Sequence, residues 1–173
     1  MDEKDTPQTG TGGGLRYVTE TADPNMVVQE LPYSCQIACA FQLLKDAGIE
    51  TTEADLLAEI GYIDGWGSSA SSTAKALGQV HPRLGYRGGA VGPENLVILL
   101  KRDPWIASLM TDHGTVHAVI VDGLEDELVH VRDPWGLSGP GSESGTRATI
   151  RISDFLEYWD AALYNAVFPY RLK

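Results

Sequence analysis

Apolar positions recur with the period of an α-helix in the first part of the chain. The run that begins at Cys35 places Ile37 and Leu44 on one face and ends at Gly48, so it predicts an amphipathic helix. Ser34 precedes this run as a predicted N-cap, and Gly48 can end it in the left-handed conformation. Similar signals predict four further helices, at residues 53–60 behind an N-capping Thr51 or Thr52, 72–77, 93–100 with Pro93 in the first turn, and 154–158.

The second part of the chain carries short apolar or alternating runs that are bounded by turn residues. These runs predict five strands, at residues 105–110, 117–121, 127–131, 146–152 and 162–169. A helical part followed by a strand-rich part is typical of an α+β fold with an antiparallel sheet.

Composition limits the organisation and the partners of the protein. The 173 residues suffice for one hydrophobic core, and a hydrophobic content of 43% is typical of a globular protein. Residues 1–14 are polar and end in three glycines, so we expect a flexible segment there and one folded domain over residues 15–173. The net charge of -11 argues against a nucleic acid or an anionic membrane as partner, and it accommodates a basic peptide or protein.

Cys35 is a candidate nucleophile because it is the first residue of the predicted helix. Backbone N–H groups and the helix dipole at a helix start lower the pKa of a thiol and raise its thiolate fraction. The competing interpretation is that Cys35 is a small apolar core residue, since free cysteines are commonly buried. The helix start alone leaves both interpretations open.

His117 and Asp133 are predicted to lie at the same end of one hairpin. His117 opens the strand at 117–121, Asp133 follows the strand at 127–131, and residues 124–126 are the predicted turn. An acidic side chain in that place can orient an imidazole and stabilise its charged form. Alternatively, Asp133 only begins a turn before Pro134, and His117 is a strand-end histidine bonded to water.

The order Gln29, Cys35, His117 and Asp133 resembles that of papain-like cysteine peptidases, and more closely that of the C39-type peptidases that remove double-glycine leader peptides in bacteria. In that family a Gln precedes the nucleophile by six positions, and a second Cys, here Cys39, often follows it by four. The apolar strand after the histidine and the Asp-Pro pair one hairpin later match as well. The resemblance extends over nearly all of the chain after about residue 26, and it implies a papain-like fold.

The resemblance also implies a role for each of the four residues. Cys35 would attack the carbonyl of a peptide or amide bond, His117 would transfer the proton, and Asp133 would orient His117. Gln29 would donate to the oxyanion together with the Cys35 backbone N–H. The implied activity is that of a cysteine peptidase with a peptide or protein substrate.

Two alternatives stay open at this point. Papain-like folds of this size also occur as bacterial toxin or effector domains, which act as protease, deamidase or transamidase and are neutralised by an immunity or inhibitor protein. The second alternative is a catalytically silent binding module, because Gln36 stands where the C39 family usually has Gly.

No cofactor or metal is implied by the sequence. It has no phosphate-binding glycine motif, and the glycine between His113 and His117 does not suit a helical zinc motif. Two cysteines four apart on one helix are expected to remain reduced thiols. Since neither a signal peptide nor an apolar run of about eighteen residues is visible, we expect a cytoplasmic protein, or one delivered by a dedicated secretion system, without membrane insertion.

Overall fold

A computed structural model describes residues 13–61, 68–101 and 104–170, and the following account refers to these residues. They form seven strands: β1 (Tyr17–Ala22), β2 (Tyr86–Ala90), β3 (Trp105–Met110), β4 (Val116–Glu125), β5 (Leu128–Asp133), β6 (Thr146–Arg151) and β7 (Asn165–Pro169). They also form five helices: α1 (Cys35–Asp46), α2 (Glu53–Ile60), α3 (Ala70–Val80), α4 (Leu96–Leu99) and α5 (Ile152–Ala161). Single 3-10 turns, Pro82–Leu84 and Pro93–Asn95, precede β2 and α4.

The seven strands form one antiparallel sheet in the order β1-β6-β5-β4-β3-β7-β2, which confirms the predicted α+β class. The five strands predicted from the hydrophobic pattern occupy the middle of the sheet. Its two edge strands are not among the predicted ones. β1 is mostly polar and exposed, and β2 contains Gly88 and Gly89, so neither carries the apolar pattern of an interior strand.

Several element boundaries differ from those predicted. Helix α3 is longer than residues 72–77, and the region 93–100 divides into a 3-10 turn and the short helix α4. The last strand begins at Asn165 rather than at residue 162, because Leu163 and Tyr164 have positive φ and turn the chain after α5. Thr52 is the N-cap of α2, since its side chain accepts a hydrogen bond from the Asp55 N–H.

Apolar side chains pack against both faces of the sheet. On one face, α1, α2 and α3 form a core with the strand residues Ile106, Ala118, Ile120 and Val167. On the other face, α5 packs Phe155 and Trp159 against Trp105, Val119 and Val131. Strand β4 is therefore buried on both faces, and its residues alternate between the two cores.

Helix α1 is the buried central helix, and it begins at Cys35 as predicted. Ser34 occupies the N-cap position, but its side chain does not cap the helix. It bonds instead to the backbone N–H and carbonyl of Leu31 in the preceding turn, an alternative that serine often takes. Gly48 follows the helix with a φ of 76°, the left-handed conformation expected from the sequence.

The hairpin of β4 and β5 turns at Asp126 and Glu127, one residue later than expected, and both residues have positive φ. The pairing of the two strands shifts by one residue between Val121 and Gly123, so Asp122 is an extra residue in β4 that has no partner residue in β5 in the strand register. Such a bulge changes which side chains of the partner strand share a face.

Candidate active site

The thiol of Cys35 lies against the strand that carries His117. Cys35 is 7% exposed at the start of α1. The backbone N–H of Ala118, the residue after His117, donates a hydrogen bond to Cys35 Sγ at 3.4 Å. Helix α1 and the central strand β4 thus bring together two residues that are more than eighty positions apart in the sequence.

His117 and Asp133 form a buried ion pair. His117 Nε2 lies 2.6 Å from Asp133 Oδ1, and both side chains are almost completely buried. The same carboxylate oxygen accepts a bond from the Trp135 N–H at 2.8 Å, and Oδ2 accepts one from the Tyr17 hydroxyl at 2.6 Å. Asp133 therefore has three donors, which is how proteins stabilise a buried carboxylate.

The two partners shift each other's pKa in the directions that favour the charged pair. Burial lowers the pKa of the His117 imidazole, but the charge of Asp133, their hydrogen bond and the nearby Cys35 together outweigh it and raise the pKa to about 10. Burial raises the pKa of Asp133, but the charge of His117 and the three hydrogen bonds to the carboxylate bring it below its ordinary value. Both shifts favour the imidazolium and the carboxylate as the form of the pair.

The other ring nitrogen of His117 is left available for chemistry. Nδ1 is buried and has no hydrogen-bond partner within the usual limits among the residues that the structure describes. The neighbouring thiol of Cys35 is one of the groups that raise the pKa of this imidazole. The Trp135 ring packs edge-on against the imidazole, with 6.3 Å between centroids, and keeps solvent from it.

Comparison with known proteins finds solved structures of similar fold. No family model matches the sequence, and no curated protein matches it significantly. A double glycine motif protease from an AMS/PCAT transporter, crystallised with the leader peptide, is 16% identical with a TM-score of 0.58 over 88% of this chain and 91% of that one. A C39-like peptidase from Bacillus anthracis is 17% identical with a TM-score of 0.62, over 90% of this chain and 100% of that one.

A third solved structure agrees with these two. The peptidase domain of Streptococcus ComA, a bifunctional ABC transporter, is 20% identical with a TM-score of 0.59, over 82% of this chain and 94% of that one. The fold is that of the C39-like cysteine peptidases. It confirms the papain-like architecture expected from the order of Gln29, Cys35, His117 and Asp133.

Gln29 lies within this C39-like fold beside the buried pair, but its amide is engaged in its own loop. Its backbone N–H donates to the Pro134 carbonyl at 2.8 Å, which brings the residue next to Asp133. Side-chain Nε2 donates to the carbonyls of Leu31 at 2.9 Å and Pro32 at 3.1 Å, and Oε1 is buried without a hydrogen-bond partner among the described residues. An oxyanion at Cys35 would have to compete with these two carbonyls for the amide.

Cys39 supports the same strand from one helical turn further along α1. Its Sγ donates to the Ala118 carbonyl oxygen at 3.6 Å, so the backbone of Ala118 contacts Cys35 through its N–H and Cys39 through its carbonyl oxygen. Burial, with the nearby Cys35 and Asp133, raises the pKa of Cys39 well above its ordinary value. Cys39 is therefore a protonated thiol with a structural contact.

Two residues of the site, Tyr17 and Glu20, are missing from the sequence-based candidates. Both lie on the edge strand β1, and they line a cavity of about 150 Å³ together with Asp133 and Trp135. Much of Glu20 is exposed, but partial burial of its carboxyl group and the charge of Asp133 raise its pKa to about 7 despite the hydrogen bond from Thr146. No signal along the chain reveals these residues, because an exposed strand of mixed polarity gives no indication of its partner.

The described residues contain no cluster of His, Cys, Asp or Glu side chains that could hold a metal ion. None of the described helices combines the length and apolarity needed to cross a membrane. Residues 1–12, which belong to the segment predicted to be flexible, and residues 62–67 lie outside the described part of the chain.

Proposed function

We propose that this protein is a cysteine peptidase that uses Cys35 as nucleophile, His117 as acid and base, and Asp133 as the residue that orients His117. The observation that carries this proposal is the contact of a thiol at a helix start with a strand whose histidine is bonded to a buried aspartate. This is the arrangement of a nucleophile, a base and an orienting group that thiol-dependent acyl transfer requires.

The charged state of His117 prepares the nucleophile. An imidazolium beside the thiol and the dipole of α1, whose positive end lies at Cys35, both favour the thiolate form of Cys35. The Nε2–H of His117 is bonded to Asp133, so Nδ1 is the nitrogen that exchanges a proton with Cys35 and the substrate. Trp135 lowers the access of water to this pair.

The reaction would proceed through a thioester. Cys35 Sγ attacks the carbonyl carbon, and the C=O electron pair moves onto the oxygen. The tetrahedral intermediate collapses with cleavage of the C–N bond, and His117 Nδ1–H protonates the leaving amine. Water then attacks the thioester while His117 Nδ1 accepts its proton, which releases the acid and restores the Cys35 thiolate beside the imidazolium.

Stabilisation of the oxyanion requires a rearrangement of hydrogen bonds in the site. The backbone N–H of Cys35 is one candidate donor, and the Gln29 amide is the second. We propose that the Gln29 amide exchanges one of its bonds with the Leu31 and Pro32 carbonyls for a bond to the oxyanion. Removal of one such donor typically costs about 2.7–4 kcal/mol in the transition state.

We further propose that the substrate is a peptide or a protein. One solved structure with the same fold is a double glycine motif protease in complex with a leader peptide. The net charge of -11 on this chain favours a substrate of opposite charge at low ionic strength.

The test is incubation of the protein with a mixed peptide library, followed by mass spectrometry of the newly formed N-termini. We expect new termini with the wild-type protein and none with Cys35→Ala or His117→Ala. His130→Ala is the matched control, since His130 lies on β5 with a partly exposed side chain near Glu125. A peptidyl chloromethyl ketone should label the wild type at Cys35 only.

The alternatives give different results in the same experiment. If no terminus depends on Cys35 and the chloromethyl ketone does not label it, the peptidase proposal is wrong and a binding module is favoured. Conversion of glutamine to glutamate, or formation of a new isopeptide bond, would instead assign the same thiol chemistry to a deamidase or a transamidase.

A further inference from the structure

Both carboxylate oxygens of Asp133 accept hydrogen bonds, and the donor to one of them lies on the N-terminal strand β1. Oδ1 accepts from His117 and from the Trp135 N–H, whereas Oδ2 accepts from the Tyr17 hydroxyl at 2.6 Å. Tyr17 lies on β1, which pairs with β6 and not with the strands that carry His117 or Asp133. Among the described residues, Tyr17 is the donor to Oδ2.

We propose that Tyr17 is a positioning residue for the active site, which fixes the orientation and charge of Asp133 through this hydrogen bond. The inference rests on the proposed function, because it assigns to β1 a part in the same thiol chemistry. Without the hydroxyl, Oδ2 would be a buried charged oxygen with no donor, and the carboxylate would be free to rotate away from His117.

Tyr17 suits this role because its hydroxyl remains a donor. Burial, with the charge of Asp133 and the hydrogen bond to it, raises the pKa of Tyr17 well above its ordinary value. The phenol therefore stays protonated over the whole pH range in which Cys35 and His117 react. A hydroxyl proton pointing at a carboxylate forms one of the shorter and stronger hydrogen bonds in proteins.

The groups that face Asp133 come from three elements. They are His117 on β4, Tyr17 and Glu20 on β1, and Cys39 on α1. Of these, Glu20 has a pKa raised to about 7, so the test must separate the effect of its titration from that of Tyr17. The variant Glu20→Gln does so, since it removes the titration and keeps the size of the side chain.

The test is the pH dependence of alkylation of Cys35 by iodoacetamide, followed by mass spectrometry of the intact protein. Wild type, Tyr17→Phe and His117→Ala are compared, with Tyr170→Phe as a control that removes a hydroxyl at the opposite edge of the sheet. Each variant is measured with and without Glu20→Gln.

Loss of the Tyr17 hydroxyl should raise the pKa of Asp133, so the thiolate–imidazolium pair should break up at a higher pH on acidification. We expect the rise of the alkylation rate at acidic pH to occur at a higher pH in Tyr17→Phe than in the wild type. The alkylation rate near pH 5 should be lower than that of the wild type by up to about tenfold, which corresponds to a shift of one pKa unit. The shift should persist with Glu20→Gln, and Tyr170→Phe should match the wild type. A fluorinated tyrosine at position 17, a stronger donor, should move this rise to lower pH.

The outcomes separate this inference from the proposed function. The inference is overturned if the wild-type profile depends on His117 and the Tyr17→Phe profile is the same as that of the wild type. Tyr17 would then only connect β1 to the sheet, even if the melting temperature of Tyr17→Phe is lower. If the wild type and His117→Ala both show an ordinary thiol profile, the proposed function fails and the role of Tyr17 fails with it.

Discussion

Arg132 pairs with Ile120 across the β4–β5 hairpin, and this register places Asp133 on the face of the sheet that holds His117. Nearer the turn, Gly123 pairs with His130, which is a register shifted by one residue. If that register continued, Asp133 would lie opposite Ile120 and point to the other face. The extra residue in β4, Asp122, therefore makes the buried ion pair possible.

The bulge is held by an ion pair that we expect to contribute to stability. Arg132 binds both carboxylate oxygens of Asp122, through Nε at 2.8 Å and Nη2 at 2.9 Å, and its Nη1 binds Asp46 of α1 at 2.9 Å. A double-mutant cycle with Asp122→Ala and Arg132→Ala should give a coupling free energy of unfolding of about 1 kcal/mol, because the pair is bidentate but partly exposed. Urea unfolding of the four proteins measures it, and a coupling near zero would contradict a role of Arg132 in holding the bulge.

The two cysteines should differ in reactivity. We expect N-ethylmaleimide to modify one thiol in the folded protein, that of Cys35, because Cys39 is completely buried and its raised pKa keeps it protonated. In denaturant both thiols should react. Mass spectrometry of the wild type, Cys35→Ala and Cys39→Ala identifies the modified residue, and labelling of folded Cys35→Ala would disprove the assignment.

The ion pair of His117 and Asp133 should make stability depend on pH in two windows. The pKa of His117 rises from 6.5 in the unfolded chain to about 10, so its contribution is complete below about pH 6.5 and is lost as the pH rises through about 10. The pKa of Asp133 is lowered from 3.8, so its contribution is present above that value and is lost as the pH falls through the lower folded pKa.

The double variant His117→Leu with Asp133→Leu lacks both contributions. We expect the free energy of unfolding of the wild type to fall relative to this variant between about pH 6.5 and pH 10, because the unfolded chain loses the His117 proton in this range while the folded protein keeps it. Urea unfolding at several pH values measures the difference. Parallel pH dependences of the two proteins would contradict the shifts in the pKa values of the pair.

Gly145 should be required for packing around the Asp133 backbone. A Cβ at this position would lie 2.6 Å from the Asp133 carbonyl oxygen, from the Val27 carbonyl oxygen and from Met26 Cγ. We expect Gly145→Ala to lower the free energy of unfolding by about 1–3 kcal/mol, the usual cost of overpacking.

Gly141 is the matched control for this substitution, because it lies in the same loop and a Cβ there would meet nothing within 4 Å. Gly141→Ala should change the unfolding free energy by less than about 0.5 kcal/mol. Thermal and urea unfolding of both variants compare them directly, and equal effects of the two substitutions would contradict the packing argument.

The sequence alone determined the elements that carry the chemistry. A period of 3.6 with Gly48 behind it was sufficient to define α1 and to place Cys35 at its start, because helix periodicity and end signals are local. The two apolar runs around Gly123 likewise predicted that His117 and Asp133 lie at one end of a hairpin. Local patterns are reliable here because the strands concerned are buried in the middle of the sheet.

Tertiary structure alone decided how these residues meet. The bulge at Asp122, the bonds of the Gln29 amide to its own loop and the contact of Tyr17 with Asp133 all depend on partners that are distant in the sequence. A polar edge strand such as β1 has no periodic signal, because most of it faces solvent. Its side chains acquire a function only when the sheet brings them to a buried carboxylate that needs another donor.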